Sequence, residues 1–89
     1  MNIDRIWNKI LELEGETFYT ATGLPFTYEV IDDHRIVPYR NGKTRWTITK
    51  NVIEKALGFP YYSGTEFNKS VIASSYVAGI LNDKRVKNI

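Results

Sequence analysis

The Asn-Gly pair at positions 41 and 42 constrains this chain more than any other dipeptide in it. Both residues accept positive φ, which a two-residue hairpin turn of the type matching strand twist requires. The pair sits between "RIVPYR" (35–40) and "TRWTI" (44–48), both rich in β-branched and aromatic residues. The reading is two antiparallel strands joined at 41–42. Alternation puts Trp46 and Ile48 on one face, read as the core face, and Arg45 and Thr47 on the other. Pro38 has no N–H, so it belongs on a sheet edge or at a bulge.

Two more strands precede this hairpin. "ETFYT" (16–20) ends at the loop marked by Gly23 and Pro25, and "FTYEVI" (26–31) alternates apolar and polar residues before the polar turn at Asp32, Asp33 and His34. Upstream, Ile3, Ile6, Trp7, Ile10 and Leu11 recur at helical spacing, predicting an amphipathic helix over residues 3–14 stopped by Gly15. After the strands, Thr49 can cap a helix over 50–57, or Asn51 and Glu54 can form a capping box one turn later. Gly58 and Pro60 then close it. A weaker helical stretch follows over 65–73, and Ser74 or Ser75 can cap a helix over 76–83, with the basic tail "KRVKNI" behind it. The expected fold is α+β: an antiparallel meander of three to four strands, flanked by an N-terminal helix and two C-terminal helices on one face.

Size and composition fit one domain over residues 1–89. The chain has 89 residues with 43% apolar and 13% aromatic content, enough for a core but not for two. Without cysteine there is no disulfide, thiolate nucleophile or cysteine zinc site, so packing must hold the fold. That suits a reducing compartment, and a cytoplasmic protein is expected. Charges spread through residues 4–14 leave no apolar run for a signal peptide or a membrane helix.

The net charge of +2 hides a marked asymmetry. Residues 1–34 carry two cations against seven acids, a balance of −5, and residues 35–89 carry ten cations against three acids, a balance of +7. Between residues 35 and 53 stand Arg35, Arg40, Lys43, Arg45 and Lys50 with no acid at all. Such a run can set up a local positive field that attracts phosphate, and a β-ribbon is one shape that tracks a nucleic-acid backbone. The candidate nucleic-acid-binding set is these five cations with Tyr39. If Trp46 faces the core, backbone contact rather than base stacking is expected. Equally, the cations can be the solvated tip of an ordinary hairpin.

Catalytic patterns are not found. His34 with Asp32 and Asp33 offers three donor types, but neighbours in one turn rarely converge on one ion. Glu12 and Glu14 diverge on a helix and Glu16 lies past its stop, so these carboxylates read as a solvated face. Neither a GxGxxG nor a GxxxxGK[ST] pattern occurs, so no nucleotide cofactor is expected and the chain reads as non-enzymatic. In "FPYYSG" (59–64), Phe59, Tyr61 and Tyr62 are either a lid on the core or an exposed anchor for another protein or a second copy.

The stretches "GETFYTATGLPFTYEV", "IVPYR" and "SSYVAGILND" with "KRV" together resemble a small uncharacterised bacterial domain, some of whose members lie near restriction or mobile-element genes. Tyr39 departs from it, standing where that domain carries a small polar residue. The resemblance brings no catalytic residue or ligand; it implies a standalone accessory protein acting near DNA.

Overall fold

A computed structural model describes residues 2–43 and 46–88 of the chain. In chain order the elements are α1 (Ile3–Glu12), β1 (Phe18–Tyr19), β2 (Pro25–Asp32), β3 (Arg35–Tyr39), β4 (Ile48–Thr49), α2 (Lys50–Leu57), α3 (Thr65–Ser70), α4 (Ser74–Leu81) and α5 (Lys84–Lys87). This is the expected α+β arrangement, with four strands in the order β1-β2-β3-β4 and every neighbouring pair antiparallel. Where two helices are expected after the sheet, four are found among the described residues. The basic tail supplies one of them, because the Asp83 carboxylate caps it by accepting from the Arg85 N–H and its Val86 joins the core. No helix among the described residues is long and apolar enough to cross a membrane.

Local chemistry accounts for the first helix. The Asn2 side chain accepts from the N–H groups of Asp4 (2.9 Å) and Arg5 (3.4 Å), and Ile6, Trp7 and Ile10 form the buried stripe. Its end comes at Glu12, two residues before the expected end, and Gly15 then turns the chain at φ +84°. The Gly15 N–H donates to the Tyr28 carbonyl, fastening this turn to β2.

The sheet buries one face. Register pairs Phe18 with Phe26, Tyr28 with Pro38, Val30 with Ile36, and Ile36 with Ile48. Those side chains join residues from all five helices in one core. β3 and β4 pair only at Arg35–Thr49 and Ile36–Ile48. At the far end Arg40 and Lys43 exchange backbone hydrogen bonds of 3.0 Å each, closing a turn in which Asn41 (φ 55°) and Gly42 (φ 72°) both lie in the left-handed region. Backbone groups alternate along a strand, so Pro38 directs its ring nitrogen the same way as Arg40, away from β2 and past the end of the short β4. The missing N–H therefore costs the ladder no bond.

Trp46 corrects the expectation of an inward side chain: Ile48 is wholly buried, but Trp46 is 41% exposed. The strand alternation begins at Ile48 and does not reach back to Trp46. Thr49 caps α2, accepting from the Val52 N–H at 3.2 Å, so the capping box one turn later is not used. Neither Ser74 nor Ser75 caps α4. Ala73 holds the N-cap position in the left-handed region (φ 54°) without a side-chain cap bond. The lid reading of the aromatic loop holds for Phe59 and Tyr62, whose rings lie 5.5 Å and 6.2 Å from Phe67, while Tyr61 is 76% exposed.

Candidate nucleic-acid interface

Chain order groups the five cations, but the fold divides them. Arg35 and Lys50 lie at the base of the β3–β4 pair, beside a groove of about 710 Å³ that also takes in Asp4, Asp32, His34 and Glu54. There the Arg35 guanidinium donates twice to the Asp32 carboxylate, at 2.8 Å and 2.6 Å. The same carboxylate accepts the His34 backbone N–H at 2.9 Å. These bonds, the guanidinium first, hold the Asp32 carboxyl below the usual range, and the Asp32 carboxylate in turn raises Arg35. Lys50 donates to Asp4 at 2.6 Å, across 46 positions of sequence. Acids missing from the run 35–53 are thus brought to it by α1 and by the β2–β3 turn.

Arg40 and Lys43 lie at the other end of the hairpin, roughly 16 Å along β3 from Arg35 at the rise of a strand. Neither makes an ion pair among the described residues. Arg40 is half-buried and Lys43 exposed. Arg45, the third predicted tip cation, lies outside the described residues. Tyr39 is half-buried, and the Glu29 carboxylate beside it raises its phenol above the ordinary value. It shares a shallow depression with Arg40, Asn41 and Gly42. Of the predicted set, the fold therefore keeps Tyr39, Arg40 and Lys43 together and puts Arg35 and Lys50 elsewhere.

Sequence reasoning passed over the surface next to the tip. Trp46 lines a groove of about 400 Å³ with the segment 68–76, which brings Asn68, Lys69, Ile72 and Tyr76 to it. No local pattern links residue 46 to residue 69; only an outward Trp46 would have hinted at it. One further cation is structural. Arg85 donates to Asp83 at 2.9 Å and 3.0 Å and to the Thr17 carbonyl at 2.8 Å, and its guanidinium lies 4.4 Å above the Phe18 ring. With Glu16 at 3.6 Å as well, it is committed to joining α5 to the sheet. Comparison with family models, with curated proteins and with solved structures finds no match to this chain. Its chemistry is therefore read from its own geometry.

Proposed function

We propose that this chain is a non-catalytic accessory domain that binds nucleic acid electrostatically through the tip of the β3–β4 hairpin. The observation that carries this reading is the contrast between the two ends of the hairpin. Arg35 and Lys50 are engaged by carboxylates, whereas Arg40 and Lys43 flank the hydrogen-bonded turn at Asn41 and Gly42 with no ion pair among the described residues. Cations flanking such a turn, Lys43 exposed and Arg40 half-buried, suit contact with phosphates, which supplies affinity without reading sequence. A cysteine-free chain suits the cytoplasm, and the resemblance to a bacterial domain near restriction or mobile-element genes fits a role beside DNA.

Salt titration tests it. Replacing Arg40 and Lys43 together by Gln should leave the fold intact, because neither makes an ion pair among the described residues and surface substitutions usually alter stability by no more than about 0.5 kcal/mol each. Affinity for random duplex DNA should fall, and the slope of log affinity against log salt should flatten by about 1.8 if both contacts are real. A double variant with the parent's affinity and slope would refute the proposal. The exposed Tyr61 supports a second reading, a contact with another protein or with a second copy. Binding of that kind would depend little on salt and would be lost in Tyr61→Ala.

A further inference from the structure

Resting on the hairpin reading above, we propose that the groove beside Trp46 receives an unpaired nucleobase, so that the preferred ligand is single-stranded nucleic acid. Trp46 is 41% exposed and lines the groove, and an indole is a side chain on which any base can stack. The walls are chemically mixed in a way that suits a nucleotide. Ile72 and Tyr76 give apolar surface, Asn68 gives an amide able to donate and accept at a base edge, and Lys69 gives an ammonium for phosphate. Lys69, like Lys43, makes no ion pair among the described residues, so this flank is complementary to a polyanion. The groove volume of about 400 Å³ lies within the range of small-ligand sites.

Continuity with the hairpin tip decides in favour of a strand rather than an isolated ligand. Trp46 follows Lys43 by three residues, so their Cα atoms are at most about 11 Å apart. A strand whose phosphates meet the tip can therefore place a neighbouring base on the indole. A duplex cannot do so without unstacking, because its bases face one another inside the helix.

Intrinsic fluorescence tests the proposal directly. Trp7 is 2% exposed and donates its indole N–H to the Asp33 carbonyl, so quenching on ligand binding reports Trp46. The probes are an oligothymidylate and a random duplex of equal length, with binding followed by anisotropy and the fold checked by thermal melting. The expected result is quenching by oligothymidylate and none by duplex. Trp46→Ala should weaken oligothymidylate binding about tenfold and Trp46→Phe far less, as stacking energies imply. The salt slope should survive Trp46→Ala and flatten by about 0.7 in Lys69→Gln. Oligothymidylate binding that neither quenches emission nor responds to Trp46→Ala overturns the groove inference and leaves the hairpin reading standing. Failure of both DNAs to bind at about 50 mM salt overturns the hairpin reading and the groove inference with it. Self-association in sedimentation that Trp46→Ala abolishes assigns the groove to a second copy, and that too overturns the proposal.

Discussion

Gly79 lies where α4 meets the backbone of β1 with no room for a side chain. A Cβ there would stand 2.1 Å from the Tyr19 carbonyl oxygen and 2.9 Å from its carbon, both backbone atoms that cannot rotate aside. Gly79→Ala gains up to about 1 kcal/mol of helix propensity but must push α4 off the strand. Overpacking of this kind costs about 1–3 kcal/mol, so a net loss is expected in the denaturant midpoint. Tyr28 carries a different constraint. Its hydroxyl donates to the Ile10 carbonyl, and burial, outweighing the attraction of Arg85, raises its phenol far above the ordinary value. The folded state therefore favours the neutral phenol. Its contribution is fully present below the unfolded phenol value of about 10 and is lost as pH rises beyond it. Absorbance titration should show one of the six tyrosines ionising only as the chain unfolds. Tyr28→Phe should lose about 1 kcal/mol at neutral pH and flatten the alkaline decline in stability.

β2 is an element with an exposure problem. It runs for eight residues, but β1 covers only Pro25 and Phe26, leaving its outer edge open beyond them. Unpaired strand edges invite pairing with other chains. Here the turn after α1 closes the gap: the Glu14 carboxylate accepts the Val30 N–H at 2.7 Å, and the Gly15 N–H reaches the Tyr28 carbonyl at 3.3 Å. Glu14, expected to be a solvated carboxylate, is thus an edge cap. Glu14→Ala should cost about 1 kcal/mol and increase aggregation on heating, while Glu14→Gln should keep much of the protection. Light scattering during a thermal ramp distinguishes the variants. The hairpin shows the opposite relation between sequence and element, since Asn41 and Gly42 adopt the backbone their chemistry prefers and Pro38 finds the one side of β3 where no donor is needed.

For the molecule as a whole, the fold offsets part of the sequence asymmetry in charge. Lys50 of the basic half meets Asp4 of the acidic half, and Arg85 meets Glu16, so two ion pairs tie α2 to α1 and α5 to the start of the sheet. The Cα radius of gyration, 11.7 Å, matches the value of about 12 Å for a compact chain of this length. Among the cations without an ion pair in the described residues are Arg40 and Lys43 at the hairpin tip and Lys69 in the groove with Trp46.

Helix α1, helix α2 with Thr49 as one of two candidate caps, the 41–42 turn and the alternation in β2 could all be read from the chain, because each depends on groups a few residues apart whose geometry the backbone itself sets. The meander followed from those elements and their short connections. The candidate site was legible only in part. Tyr39, Arg40 and Lys43 share an end of the hairpin because a two-residue turn makes them neighbours. Which cations are neutralised, and whether Trp46 faces in or out, depended on partners no local pattern specifies. Asp4 reaches Lys50 across 46 residues and Arg85 reaches Thr17 across 68. Side-chain charge and exposure are properties of the assembled surface, and they are set only when distant segments pack.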